Sequence, residues 1–425
     1  MKRVLVISYY WPPTGGSGVQ RWVKFVKYLP QMGWEPVVYT PENPEQLAVD
    51  ESLLKDIPEG IEVLKTRIFE PYEAYRTLTG KKKGGGEVNP LNAGRKSLMQ
   101  RLAVAARGNL FIPDPRIGWV RPSVRFLRKY LAEHPVDVIV TTGPPQSVHL
   151  IGRGLKRATG VRWIADFRDP WTDMFYFKHM GLSRWAERRH HRLEQSVLDE
   201  ADAIISVTPL VQKDFQAKTS TPVHMITNGF DRDDFPSLSY SPGEKFSIVH
   251  TGLFAADGNP LALWKVLADK CAADGAFADA LQIRLAGKTD AAIVEAIRAA
   301  GLGDKLVNLG YLPHSEIVKE QCRASVLILP LRQEPEYLKV LPGKIFEYLA
   351  SGRPVLGIGQ EEGAAAAVLA DASAGQMYDW DREDAMASFI DRQWQARLSG
   401  QDGAVCGDIE KYSRKELTRR LIEIL

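Results

Sequence analysis

The chain opens with Val4-Leu5-Val6-Ile7, passes through Pro12-Pro13-Thr14-Gly15-Gly16-Ser17-Gly18-Val19, and runs on through Trp22, Val23, Val26 and Leu29 to Gly33. A short, fully apolar run reads as a strand buried on both faces. The apolar residues after Val19 recur at helical spacing, and a glycine closes them. A strand, a glycine-rich turn and a helix in that order begin a parallel βαβ unit. Glycines at the turn let the backbone approach a ligand, and the helix N-terminus offers N–H groups and positive potential to an anion. A tight turn with no ligand is the other reading.

The same pattern extends outward. Val37–Tyr39, Ile61–Leu64, Val136–Val140, Val161–Phe167, Ala203–Val207 and Val223–Ile226 read as further strands. It restarts near residue 245 with Phe246–His250, Leu281–Leu285, Val307–Leu309, Val326–Leu329 and Pro354–Ile358. Asn259–Ala272, Thr289–Ala300, Ser315–Arg323 and Gly343–Ala350 read as helices between these strands. The stretch Asp231–Glu244 is rich in Pro, Ser and Gly and reads as a linker. Lys81-Lys82-Lys83-Gly84-Gly85-Gly86 cannot pack and reads as a solvated loop. A terminal helix carries Leu417, Leu421, Ile422 and Leu425 on one face. The fold class is α/β, with two doubly wound, Rossmann-like domains: 1–235, then 245–405, followed by a helix over 406–425.

Composition excludes several function classes. With 55 Lys and Arg against 52 Asp and Glu, the net charge of +3 over 425 residues is too small for nucleic-acid binding by bulk charge. Hydrophobic residues at 44% and charged residues at 25% fit a globular chain and argue against disorder. The 3 cysteines, Cys271, Cys322 and Cys406, form no C-x-x-C pair, so reduced thiols in a cytoplasmic protein are expected. The first apolar run stops at Ser8, too short for a signal peptide. Gly16-Ser17-Gly18 begins a dinucleotide fingerprint, but Arg21 stands where its third glycine belongs. No well-placed acidic residue follows the second strand, so a dinucleotide oxidoreductase is disfavoured.

A second informative stretch is Leu341-Pro342-Gly343-Lys344-Ile345-Phe346-Glu347-Tyr348-Leu349-Ala350-Ser351-Gly352-Arg353-Pro354-Val355. Pro342 and Gly343 sit at a helix start suited to a phosphate, and Lys344 adds a positive charge. Glu347 lies about one turn further along, near the same face. A carboxylate there can accept hydrogen bonds from two ribose hydroxyls; a plain surface position is the alternative.

Residues 341–355 resemble the donor-site motif of family 4 retaining glycosyltransferases, which have the GT-B fold. Asn228-Gly229-Phe230-Asp231, ending at Phe235, is similar to that family's segment after the last strand of the first domain. Thr251-Gly252-Leu253 and Leu285-Ala286-Gly287-Lys288 resemble its turns after the first two strands of the second domain, and Gly15-Gly16 its glycine-rich loop. The resemblance implies an enzyme that moves a sugar from a nucleoside diphosphate sugar to a glycan or lipid-linked acceptor, with retention. The second domain would hold the donor, through Gly252, Lys288, Pro342, Gly343, Lys344 and Glu347, with Gly15 and Gly16 also on the donor. The first domain would hold the acceptor, catalysis would lie in the cleft, and the last helix would cross back to the first domain. No metal and no cofactor beyond the co-substrate are expected. Asp231-Arg232-Asp233 spells D-x-D, but lies in the linker segment and reads as structural.

This sequence departs from the family in places. Lys339 stands where the family carries a first glutamate, eight residues before Glu347, and Glu334 and Glu336 are out of register. Phe254-Ala255-Ala256-Asp257-Gly258 lacks the Arg and Lys that often follow the Gly252 turn. Where many members have a histidine, this chain has Asp166, Arg168 and Asp169, interleaved with Phe167 and Trp171 at a strand end. That is a crevice pattern in an open sheet, so these three residues are the catalytic candidates on the acceptor side. An internal Arg–Asp pair fixing the loop is the alternative. His149 reads as a packing residue.

Two basic stretches, Arg184–Arg192 with Trp185 and residues 95–111, fit either a solvated helix or contact with the anionic inner face of a membrane. A sugar-nucleotide epimerase of the same fold and a non-catalytic binding subunit are the alternatives to transfer.

Overall fold

The computed structural model describes residues 1–45, 49–68, 105, 108–174, 177–235, 243–401 and 407–425. The chain divides into two units. Met1–Thr227 with Leu417–Leu425 form one, and Asn228–Glu416 the other.

The first unit holds β1 (Lys2–Ser8), α1 (Ser17–Tyr28), β2 (Trp34–Pro41), β3 (Glu62–Thr66), α2 (Ile117–Glu133), β4 (Val138–Gly143) and α3 (Ser147–Thr159). It continues with β5 (Arg162–Phe167), α4 (Arg184–Glu200), β6 (Ala203–Ser206), α5 (Pro209–Gln216) and β7 (Val223–Met225). Its 7-stranded sheet is parallel, in the order β3-β2-β1-β4-β5-β6-β7. Alternation along each strand feeds two cores. Leu5, Ile7, Val37, Tyr39 and Ile139 enter one. Val4, Val6, Val38, Val138 and Val140 enter the other, with Trp22, Val23 and Val26 of α1. This is why Val4–Ile7 is apolar without interruption.

The second unit holds β8 (Phe246–Thr251), α6 (Leu261–Ala273), α7 (Gly275–Ala280), β9 (Leu281–Ala286), α8 (Ala291–Ala299), β10 (Leu306–Gly310) and α9 (His314–Arg323). After them come β11 (Val326–Pro330), α10 (Lys344–Ser351), β12 (Val355–Ile358), α11 (Ala364–Asp371), β13 (Gly375–Tyr378) and α12 (Glu383–Leu398). Its 6-stranded sheet, also parallel, runs β10-β9-β8-β11-β12-β13. Each sheet reverses its strand order beside its first strand, at β1/β4 and at β8/β11. In an open α/β sheet, the crevice outside the carboxyl ends of such strands is where ligands bind.

α13 (Arg414–Ile422) ends the chain. Leu417 and Leu421 are buried in the first unit with Val4, Val6 and Trp22. The Arg162 guanidinium donates to the Ile424 carbonyl at 2.9 Å, and Arg420 to the Met225 carbonyl at 3.0 Å.

The division at 227/228 lies upstream of the turn-rich linker. Phe230 and Phe235 explain it, since both are buried with Leu341, Ile345 and Phe346 in the second unit's core. Asp231 and Arg232 take structural places: Asp231 accepts from the Asp233 N–H at 3.2 Å, and Arg232 pairs with Glu410 at 3.0 Å. Residues 81–86, 236–242, Cys406 and most of the basic stretch 95–111 lie outside the described residues. Among the described residues, no helix is long and apolar enough to cross a membrane.

Candidate functional site

In the first unit, the glycine-rich turn joins the carboxyl end of β1 to the start of α1. Gly16 has φ 118°, a conformation side chains disfavour, and its carbonyl accepts from the Val19 and Gln20 N–H groups at 3.0 and 3.1 Å. Gly18 makes room for a side chain rather than serving a special backbone angle. A Cβ there would lie 1.5 Å from Nη1 of Arg168. Arg168 follows β5, donates from Nε to the Gly143 carbonyl at 3.1 Å, and also bonds the Pro144 carbonyl. The turn after β4 thus holds this guanidinium against the start of α1. Burial pulls the Arg168 pKa down, opposed by Asp169 and Asp166. Burial raises the Asp169 carboxyl, and Arg168 opposes that rise.

Asp166 corrects the sequence expectation. It was expected to point towards an acceptor, but it is fully buried, with its carboxylate engaged by the protein itself. Arg21 donates to it at 2.9 and 3.2 Å, the Trp22 indole at 2.7 Å, and the Thr142 hydroxyl at 2.9 Å. Arg21 also donates to the carbonyls of Thr227 and Ile226, at 2.7 and 2.9 Å. Burial would raise the Asp166 carboxyl, but Arg21 and these hydrogen bonds hold it below its ordinary value. Asp166 therefore ties α1 to β5 and stays charged. Arg21, the residue that broke the glycine fingerprint, is its counter-ion. His149 is a packing residue: it is buried, hydrogen-bonds Thr141 at 2.9 Å, and stacks on Phe167 at 4.3 Å. Burial drives its pKa down to about 3.

In the second unit, the turns after β8 and β9 touch. Gly252 has φ 86° and donates to the Ala286 carbonyl at 2.7 Å. A Cβ on Gly287 would lie 2.3 Å from the Gly252 oxygen, so this approach needs glycine. Above Gly252 sits Lys344, the first residue of α10. Its Nζ lies 3.1 Å from His250 Nε2 and 3.3 Å from the Leu253 carbonyl. Burial lowers the Lys344 pKa to about 8, opposed by Glu347.

Glu347 is one turn further along α10. His314 Nε2 lies 3.3 Å from its Oε1, and the Gln321 amide donates to its Oε2 at 3.0 Å. Gln321 also donates to the Thr251 hydroxyl at 3.1 Å, which lies 3.3 Å from the Tyr348 hydroxyl. Burial would raise the Glu347 carboxyl, but His314, Gln321 and Lys344 keep it below its usual range. The structure therefore gathers Gly252, Gly343, Lys344 and Glu347 around the carboxyl end of β8. Lys288 is exposed on the turn after β9, and its carbonyl accepts from the Phe254 N–H at 2.9 Å. Pro342 contributes its carbonyl to the first turn of α10, accepting from the Ile345 N–H at 3.1 Å.

Sequence reasoning gave no role to His250, His314 and Gln321, which carry no local pattern, and quoted Thr251 only as part of the turn motif. It also set Glu334 aside as out of register. Glu334 Oε2 and Gln360 Oε1 are buried without a hydrogen-bond partner among the described residues. The Gln360 amide lies 3.4 Å from the Glu334 carbonyl, so the two residues are neighbours. Buried acceptors of this kind await a donor. Among the described residues, no group of His, Cys, Asp and Glu is arranged to hold a metal ion.

Residues 16–229 match the model of the glycosyl transferase 4-like domain, which spans half of the chain. The chain belongs to this glycosyltransferase family. Residues 247–395 of the glycosyltransferase match a further model, glycosyl transferases group 1. Its fold is that of GT-B glycosyltransferases. Sucrose-phosphate synthase from Thermosynechococcus elongatus is similar at TM-score 0.61 and 15% identity, over 100% of this chain and 98% of that one. WaaG, a glycosyltransferase involved in lipopolysaccharide biosynthesis, is similar at TM-score 0.55 and 12% identity, over 99% and 95%. A putative UDP-N-acetylglucosamine 2-epimerase from Listeria monocytogenes is similar at TM-score 0.56 and 11% identity, also over 99% and 95%. At such identities the likeness shows the fold alone. No curated protein sequence matches the chain.

Proposed function

We propose that this glycosyltransferase transfers a sugar from a nucleoside diphosphate sugar to a glycan or lipid-linked acceptor, with retention and without a metal or further cofactor. Synthesis of a polysaccharide or glycoconjugate is the setting that fits these substrates. The observation that carries the reading is Glu347. A carboxylate has about four acceptor sites, and His314 and Gln321 engage one on each oxygen. The remainder suit two vicinal ribose hydroxyls. Lys344 and the start of α10 lie one turn away, where they suit the diphosphate.

In the proposed reaction, the bond from the anomeric carbon to the phosphate oxygen breaks as the acceptor oxygen attacks from the same face. The acceptor's proton leaves with the departing phosphate oxygen. The transition state resembles an oxocarbenium ion and gains most from stabilising the leaving diphosphate. Lys344 and the Gly343 N–H supply that stabilisation, with exposed Lys288 as a further cation. Glu334 and Gln360 are candidate acceptors for hydroxyls of the transferred sugar. In the first unit, Arg168 and Asp169 orient the acceptor; Asp166 serves them only by fixing the loop.

The acceptor-side reading extends to α4. Arg184, Trp185, Arg188, Arg189 and Arg192 are exposed on one helical face, opposite buried Ala186, His190 and Glu194. Arg189 lies over the Trp185 ring at 5.9 Å. A basic face with one exposed indole suits anionic lipid at the cytoplasmic leaflet. Thermal-shift screening against nucleoside diphosphate sugars tests the donor assignment, and stabilisation by none of them would reject it. Product analysis separates transfer from epimerisation, because an epimerase needs no acceptor.

A further inference from the structure

His250 is buried at the carboxyl end of β8, and the sequence reading gave it no role beyond the strand. Its ring packs against Phe254, tilted by 31° with centroids 4.2 Å apart, which restrains the imidazole plane. Nε2 lies 3.1 Å from Lys344 Nζ. An ammonium only donates, so Nε2 is the lone-pair nitrogen and the proton sits on Nδ1. The ring is therefore neutral. Burial, and then the charge of Lys344, hold its pKa well below the ordinary histidine value. The groups facing Nζ come from three elements. His250 comes from β8, the Leu253 carbonyl at 3.3 Å from the turn after it, and Glu347 from the same helix.

We infer that His250 is the positioning residue for Lys344: its Nε2 accepts one ammonium proton and the Leu253 carbonyl a second, leaving the third directed to the donor's diphosphate. The inference rests on the donor-site reading above. A lysine is a flexible point charge on a four-carbon stem, and these two acceptors fix it before the ligand arrives. His250 itself touches no substrate. The neutral acceptor also favours the charged form of Lys344, so it sets the pH range over which the anion is gripped.

The test is calorimetric titration with UDP, GDP, ADP, CDP and dTDP between pH 6.5 and 9.5, continued with whichever binds wild type most tightly. His250→Phe keeps a ring packed against Phe254 and removes the acceptor. His250→Gln places an amide oxygen near the position of Nε2, and His250→Asn is too short to reach Nζ. We expect His250→Phe and His250→Asn to weaken binding roughly tenfold. Both should move the alkaline midpoint to lower pH by about one unit, and His250→Gln should restore both values. Lys344→Ala should weaken binding and abolish the alkaline limb. If Lys344→Ala binds weakly while His250→Phe and His250→Asn keep the wild-type affinity and midpoint, the positioning role is wrong and the donor site stands. If Lys344→Ala binds like wild type, the donor-site reading itself fails. Should His250→Phe not fold, His250→Asn against His250→Gln decides, because a purely structural role would leave the midpoint unmoved.

Discussion

Replacing Glu347 with Gln is the sharpest perturbation of the proposed donor site. The carboxylate has an acceptor pair on each oxygen, and the protein engages one site on each through His314 and Gln321. Gln keeps one oxygen and turns the other into a donor, so one hydroxyl contact of the ribose is lost and the charge with it. A hydrogen bond to a charged group contributes about 1.5–3 kcal/mol, which is roughly ten- to a hundredfold in affinity. The fold should tolerate the change, because the Glu347 side chain is 21% exposed and its shape is preserved. Calorimetric titration with the tightest-binding nucleoside diphosphate measures the effect, with a thermal melt as the control for folding. An unchanged affinity in a folded variant would refute the placement of the ribose on Glu347.

Other outcomes follow from the same geometry. Lys344→Ala should lower turnover by about 10²–10³, the loss typical of one donor to a developing anion. Because Lys344 is held to about 8 and grips an anion only when protonated, wild-type donor affinity should be full below that pH and fall as pH rises through it; a flat profile from pH 7 to 9.5 would contradict this. Asp166→Ala strands the buried Arg21 charge and should cost about 3–5 kcal/mol in denaturant unfolding, whereas a near-neutral change would rule out the structural role given to the pair. Arg168→Ala should raise the KM for acceptor more than that for donor. Gly18→Ala, whose new Cβ would occupy the place of Arg168 Nη1, should reproduce that kinetic change with little loss of stability; wild-type kinetics for Gly18→Ala would separate the loop from the guanidinium.

Much of the fold was legible because parallel strands buried on both faces are written as continuous apolar runs. Val4–Ile7, Phe246–His250 and Val326–Leu329 all fall inside observed strands. β13 was not legible, since Gly375-Gln376-Met377-Tyr378 has no β-branched residue and no alternation. Helix α11, with its run of alanines, offers no polar face to set against an apolar one. At the site, Lys344 and Glu347 were readable because the helix start and the one-turn spacing sit in a single stretch. Their partners were not. His250 lies 94 residues from Lys344, and Gln321 lies 26 from Glu347. Only the sheet order brings those residues together. Asp166 misled for the same reason: its counter-ion Arg21 is 145 residues away, and a buried carboxylate at a strand end looks like an exposed one until that arginine is placed.

The account stands on transfer with retention, and one experiment addresses it directly. The enzyme is incubated with EDTA, the nucleoside diphosphate sugar that stabilises it most, and a panel of glycan and lipid-linked acceptors, and the anomeric proton of the product is followed by NMR. We expect nucleoside diphosphate release that depends on acceptor, survives chelation, and yields a glycoside with the anomeric configuration of the donor. An inverted anomer, activity abolished by EDTA, or an epimerised sugar formed without any acceptor would contradict it.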